Sequence, residues 1–281
     1  MKQCLVEVIA NVEVMPDVFL LHLKAPEIAE HAAPGQFIHL SCSNATDPLL
    51  RRPLSLHRIG KANHAWRDAA VHATTDDAQI PLTTAWRPGH GEISVLFARV
   101  GKGTTAFAQT NPGDMLSAIG PLGNGFKFEP KTRNVLLVAG GLGIAPLVAL
   151  ADEAIQREMT VTLLVGARSE SSVLPSEMLP PEVEYIVCTD DGSRGQRGVV
   201  TSVVPELIDW ADQVFTCGPK PMLRALAALR LPATKSVQVA LEEHMACGIG
   251  ACLGCAVKTR IGLQRVCRDG PVFKLGDIEW L

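Results

Sequence analysis

With 281 residues, 47% of them hydrophobic and 20% charged, the chain is long enough for two domains with their own cores and too apolar to be disordered. A formal net charge of -3 gives no general attraction to nucleic acid or to acidic membrane surfaces, so neither is expected as a partner. The opening Met-Lys-Gln-Cys-Leu-Val-Glu carries no apolar signal segment, which makes the cytoplasm the expected compartment, and eight cysteines in a reducing compartment favour metal ligands and buried thiols over disulfides.

From the start to about Phe128 the pattern is short, β-rich and punctuated by Pro, Gly, Asn and Asp. Strands are expected at Leu5 to Val14, Val18 to Lys24, Gln36 to Cys42, Leu54 to Ile59, Ile93 to Val100 and Met115 to Ile119. This predicts a small antiparallel barrel or sandwich. One short helix is expected between Gly103 and Asn111, capped by Thr104 or Thr105. Lys61 to Gly91 interrupts the strand pattern and reads as an extended hairpin or surface loop, its His64, His72 and His90 solvated rather than metal-bound.

After Pro130 the periodicity changes. Strand-like Asn134 to Ala139, Thr160 to Val165, Glu184 to Thr189, Gln213 to Thr216 and Val237 to Leu241 alternate with helical segments at Leu147 to Ile155, Val199 to Ile208 and Pro221 to Leu229. Such alternation predicts a parallel sheet wrapped by helices. The uncharged run Val135 to Ala151 is too short to span a bilayer and contains Gly140, Gly141, Gly143 and Pro146, so it reads as strand, glycine turn and helix start. The expected division is 1-129, 130-242 and 243-281.

The last segment holds Cys247, Cys252 and Cys255 in the C-x4-C-x2-C spacing by which plant-type loops wrap a [2Fe-2S] cluster, with Cys267 following. Two irons and two sulfides need four thiolates from several sides, and Gly248, Gly250 and Gly254 let the backbone curl around them. A zinc knuckle would usually show two C-x2-C pairs. A cluster passes one electron at a time, so another carrier has to collect or deliver them. Cys4, Cys42 and Cys188 sit in apolar strand contexts and read as core, whereas Cys217 fits strand-end packing or a place beside a nucleotide equally well.

Four further stretches suit phosphate-bearing ligands. Arg52-Pro53-Leu54-Ser55 offers a planar guanidinium and a hydroxyl, and Gly101-Lys102-Gly103-Thr104 is a glycine turn at a helix start. Gly140-Gly141-Leu142-Gly143-Ile144-Ala145-Pro146 lies between strand and helix, and Cys217-Gly218-Pro219 follows a strand where ligands of parallel sheets gather. The Gly140 to Pro146 stretch matches neither the G-x-G-x-x-G nor the P-loop pattern.

The order of Pro-Gly-Gln-Phe, Arg-Pro-Leu-Ser, Gly-Lys-Gly-Thr, Gly-Pro-Leu-Gly-Asn-Gly-Phe, Gly-Gly-Leu-Gly-Ile-Ala-Pro and Cys-Gly-Pro resembles the ferredoxin-NADP reductase superfamily. The segments Glu242 to Cys255 and Val266 to Phe273 resemble, within it, the electron-transfer subunits of type B, NAD-linked dihydroorotate dehydrogenase. The resemblance implies an FAD-binding barrel, an NAD-binding α/β domain and the cluster module. Arg52, Pro53, Leu54 and Ser55 would line FAD, with Ser55 near the isoalloxazine and Arg52 on the pyrophosphate. Leu96, Phe97 and Ala98 would border the flavin, and Gly103 and Thr104 its phosphates. Gly140, Gly141, Gly143, Cys217, Gly218 and Pro219 would face NAD. Cys247, Cys252, Cys255 and Cys267 would hold the cluster, in place of the terminal tyrosine that many reductases stack on the flavin. The implied partner is an FMN-containing catalytic subunit, two of each chain, which oxidises dihydroorotate and sends electrons through cluster and FAD to NAD+ in pyrimidine biosynthesis; the chain itself carries no Ser-His-Asp type pairing. The alternative is a reductase subunit of a hydrogenase, sulfide-linked or oxygenase system with the same cofactors.

Overall fold

A computed structural model describes residues 1–42, 47–61 and 88–280. Strands β1 (Lys2–Met15), β2 (Val18–Lys24), β3 (Phe37–Leu40), β4 (Arg52–Ile59), β5 (Glu92–Ala98) and β6 (Met115–Leu122) close an antiparallel barrel in the order β1-β2-β5-β4-β3-β6. Helix α1 (Pro26–Ala29) follows β2, and α2 (Lys102–Ala108) joins β5 to β6. Alternation builds the barrel: Val6, Val8, Leu21, Leu23, Ile38, Leu40, Leu56, Ile93 and Val95 point inward and are fully buried. Closure leaves the barrel without a free edge.

The helix α2 begins one turn earlier than the sequence suggests. Gly101 is its N-cap, and Thr104 stands three residues in, its Oγ1 accepting from the Val100 and Gly101 N–H groups at 2.9 and 3.1 Å. The threonine thus closes the turn from inside the helix rather than capping it from outside. At the base of the β4–β5 connection, Gly60 and Gly91 pair at 2.9 Å, and His90 is exposed. The rest of the expected hairpin, with His64 and His72, lies outside the described residues.

The second half forms a parallel sheet from β7 (Asn134–Gly140), β8 (Thr160–Ala167), β9 (Glu184–Thr189), β10 (Gln196–Arg197), β11 (Gln213–Cys217) and β12 (Ser236–Ala240), with helices α3 (Ile144–Gln156), α4 (Val204–Leu207) and α5 (Lys220–Ala228). Val135 to Ala139 is buried on both faces, as a central parallel strand requires. The run Val135 to Ala151 resolves into β7, a glycine turn and α3, and among the described residues no helix is long and apolar enough to cross a membrane. The helix expected over Val199 to Ile208 shrinks to one 3-10 turn and α4. Pro205 sits in α4's first turn, where its missing N–H is tolerated, so a helix cannot run through it from Val199.

The C-terminal segment adds the hairpin β13 (Ala256–Thr259) and β14 (Gly262–Arg265), and then β15 (Val272–Lys274), which pairs antiparallel with β12. The sheet order is therefore β10-β9-β8-β7-β11-β12-β15. Two seams result. Helix α3 packs against β4, placing the parallel sheet against one side of the barrel, and Leu20 and Leu96 join its core. On another side Phe37 and Leu122 join the core of Cys255, Val266 and Cys267.

Candidate electron-transfer site

The cysteine loop curls as its glycines suggest: Gly248 and Gly250 have φ of +68° and +86°. The Cys247 sulfur accepts from the Ala251 and Cys252 N–H groups at 3.3 and 3.4 Å, and the Cys255 sulfur from the Cys267 N–H at 3.4 Å. Cys247 interacts with Cys252, and Cys267 with both Cys255 and Cys247, so the four thiols gather in one place. Four thiols brought together from a glycine-rich loop and a following turn suit a bridged pair of irons. The residues present therefore fit a [2Fe-2S] cluster.

Burial alone would push the Cys247 thiol up, but the N–H groups of Ile249, Cys252 and Ala251 draw it down to about 6. Burial, reinforced by the Cys255 thiol, pushes Cys267 up to about 12, so ligation there has to displace a proton. Arg265 ties the parts of the site together. It grips Asp269 through Nε at 2.9 Å and Nη2 at 3.0 Å, and donates to the Gly250 carbonyl at 3.1 Å, fixing the Cys267 segment to the three-cysteine loop.

In the barrel, the two weak phosphate motifs meet. A Cβ on Gly103 would lie 2.6 Å from Nε of Arg52 and 2.9 Å from the Cys42 sulfur, so the guanidinium rests on the glycine turn. A cationic fork over an uncovered backbone is a cradle suited to the pyrophosphate of FAD. Pro53 and Ser55 are half-buried on β4, and Leu54 is in the barrel core. Leu96 turns outward to the seam with the sheet, and Ala98 is half-buried at the end of β5. Phe97 turns inward, stacked on Phe19 at 5.7 Å and edge-on to Phe107 at 5.8 Å, so this position offers a ligand only its backbone.

In the sheet, neighbouring strands β7 and β11 end side by side. A Cβ on Gly143 would strike the Cys217 carbonyl; one on Gly140 would lie 2.6 Å from the Met222 sulfur and 2.7 Å from Pro219; one on Gly218 would lie 3.0 Å from the Gly140 nitrogen. Gly141, at φ +52°, faces open space. The two turns thus pack closely at the carboxyl ends of the strands, the place where parallel sheets of this kind bind nucleotides. Cys217 is buried, and burial, then Glu242, pushes its thiol up to about 12.

Two further features were not read from the sequence. Arg58 at the end of β4 and Asp152 on α3 form a buried ion pair, Nε to Oδ2 3.4 Å, and Arg58 Nη2 donates to the Met178 carbonyl at 2.9 Å. The pair joins the strand that begins with Arg52 to the helix that follows Gly143. His39, on β3 opposite Pro53, is buried against the cluster loop. Burial, then the Arg51 guanidinium and more weakly Arg52, lower its pKa against the raising effect of the Arg51 and Cys247 backbones. An Arg in Leu-His-Arg-Ile, an Asp in an apolar helix and a His inside Phe-Ile-His-Leu were the available signals.

Residues 242–279 match the iron-sulfur cluster binding domain of dihydroorotate dehydrogenase B, and residues 137–228 an oxidoreductase NAD-binding domain. The chain is 36% identical to the "Dihydroorotate dehydrogenase B (NAD(+)), electron transfer subunit" of Desulforamulus reducens over 98% of this chain and 97% of that one. It is 38% identical to the same-named subunit of Geobacillus kaustophilus, over 92% and 91% respectively. Among solved structures, an NADH-dependent reduced ferredoxin-NADP oxidoreductase described for flavin-based electron bifurcation superposes with a TM-score of 0.79 at 26% identity, covering 99% of this chain and 90% of that one. A ferredoxin NADP+ reductase of Neisseria gonorrhoeae shares the fold, at a TM-score of 0.59 and 14% identity over 86% of this chain and 100% of that one. Gathered thiols, adjoining nucleotide turns and full-length relatives converge: the chain belongs to the electron-transfer subunits of dihydroorotate dehydrogenase B.

Proposed function

We propose that this chain carries electrons from dihydroorotate oxidation in a catalytic partner subunit to NAD+, in pyrimidine biosynthesis. It is an oxidoreductase subunit with FAD, a [2Fe-2S] cluster and NAD as its carriers. Nicotinamide exchanges hydride, a cluster exchanges single electrons, and a flavin does both, so FAD stands between the other two. Residues 1-129 form the FAD unit, 130-242 the NAD unit and 243-281 the cluster module. Cys247, Cys252, Cys255 and Cys267 hold the cluster. Arg52 neutralises the FAD pyrophosphate over Gly103 and Thr104, while Pro53, Leu54, Ser55 and the backbone of Leu96, Phe97 and Ala98 line the flavin. Gly140, Gly141, Gly143, Cys217, Gly218 and Pro219 seat the nicotinamide nucleotide.

The partner subunit carries FMN, two of each chain assemble, and the complex works in the cytoplasm. Ile249 and Leu253, 43% and 62% exposed beside Cys247 and Cys252, supply the apolar face on which it docks. The observation that carries the reading is the glycine-curled loop that gathers the cysteines, with the Cys247 sulfur accepting two backbone N–H groups and the Cys255 sulfur the Cys267 N–H.

An anaerobic spectrum of the purified chain, followed by titration with NADH, tests it. The expected result is bleaching of a flavin band together with a reduced-cluster EPR signal, and dihydroorotate-dependent NADH formation once the catalytic subunit is added. Zinc without iron or sulfide would overturn it.

A further inference from the structure

We infer that His39 tunes the cluster: its buried ring N–H donates a hydrogen bond to a cluster sulfur at the seam between β3 and the cysteine loop. The inference rests on the cluster assignment made above.

Strand β3 alternates cleanly. Ile38 and Leu40 point into the barrel, while Phe37 joins the core of Cys255, Val266 and Cys267, so residues on its side of the strand face the cluster module. His39 is on that side. A Cβ on Gly248 would lie 2.5 Å from its Nδ1, 3.0 Å from Cγ and 3.1 Å from Cε1, so the ring lies directly against the residue after Cys247. In the other direction His39 is in register with Pro53, and its carbonyl accepts from Arg51 at 3.5 Å. It is the polar side chain between the Arg52–Ser55 strand and the first cluster thiol.

The ring is 1% exposed, and neither nitrogen makes a well-formed hydrogen bond. Leaving such a group without a partner costs about 1–3 kcal/mol, and buried polar groups are nearly always satisfied. His57, equally buried, shows the usual solution: its Nδ1 lies 3.0 Å from the Ser94 hydroxyl. At His39 no side chain plays that part: Ile119, its partner on β6, is apolar, and the Arg51 and Cys247 carbonyls near the ring are too poorly aligned to satisfy it. The acceptor that fits is the electron-rich sulfur of a bound cluster. Donors to cluster sulfurs favour the reduced state and raise its potential.

The test is an EPR-monitored redox titration of the anaerobically purified holoprotein with its catalytic subunit. In His39→Phe, which keeps the ring bulk and removes the N–H, the one-electron equilibrium between flavin and cluster should shift about tenfold, lowering the cluster potential by about 59 mV. Iron, sulfide and FAD contents should stay at native levels. His39→Gln, which keeps a donor, should recover most of the shift. Pulsed EPR of the native reduced cluster with 15N-labelled histidine should show a nitrogen coupling that is absent in His39→Phe. An unshifted potential in cofactor-replete His39→Phe overturns the inference. If both variants lose the cluster, absence of the histidine coupling in the native protein overturns it. A native protein without iron would instead defeat the cluster assignment itself.

Discussion

The barrel meets its two neighbours in opposite ways. Against the parallel sheet it presents Arg58, whose charge is paired with Asp152 and which also donates to the Met178 carbonyl. Against the cysteine loop it presents Phe37 and His39, and the imidazole there makes no well-formed hydrogen bond within the protein. A seam closed by a paired charge ties the Arg52 strand to the helix after Gly143. One that leaves a donor over is built around something further.

Breaking the second seam gives the largest effect. Cys267→Ser should reduce bound iron and sulfide to background while the flavin spectrum survives, measured by metal analysis and absorbance, because the Arg52–Gly103 cradle is on the barrel. At the first seam, Asp152→Ala strands a buried guanidinium and should cost about 3–5 kcal/mol in urea unfolding. The double replacement Arg58→Met with Asp152→Leu should return most of that, since a packed apolar pair replaces the stranded charge. Next comes Gly143→Ala, whose methyl meets the Cys217 carbonyl. Stopped-flow reduction of the flavin by NADH should slow about 100-fold with an unchanged cluster EPR signal, as expected for a displaced ligand.

The buried histidines beside Arg58 also make stability depend on pH. Burial, then Arg58, holds His22 down to about 3, and burial, then Arg58 and His22, holds His57 well below its ordinary value. Below about pH 6.5 the unfolded chain therefore binds more protons than the folded one. Stability is full above that pH and declines as pH falls towards about 3, by up to about 1.4 kcal/mol per pH unit for each histidine. Urea unfolding between pH 5 and 7.5 should show the slope, and His57→Gln should flatten it. The smallest effect belongs to Thr104→Ala, which removes the acceptor for two N–H groups and should cost about 1 kcal/mol.

The strands and the cysteine motif were legible because their information is local. Period-two apolar residues named all six barrel strands, and Gly-rich turns between strand and helix marked the nucleotide side. What escaped was long-range. Nothing near Arg58 announces Asp152, and His39 in Phe-Ile-His-Leu looks like a mismatch until the loop holding Gly248 arrives from the far end of the chain. Three-residue β15 is too short to show a period, and its partner is fixed by the sheet it completes. Pro205 was visible, and its power to stop a helix outweighed the apolar spacing around it.

The pairing of Val272, Phe273 and Lys274 with Ala240, Val239 and Gln238 has an effect unrelated to redox chemistry. Those three residues act as a stopper on an open row of amides and carbonyls, ending it with a lysine and a reversal of direction. A chain clipped ahead of Pro271 would bare that row to pairing with strands of other molecules.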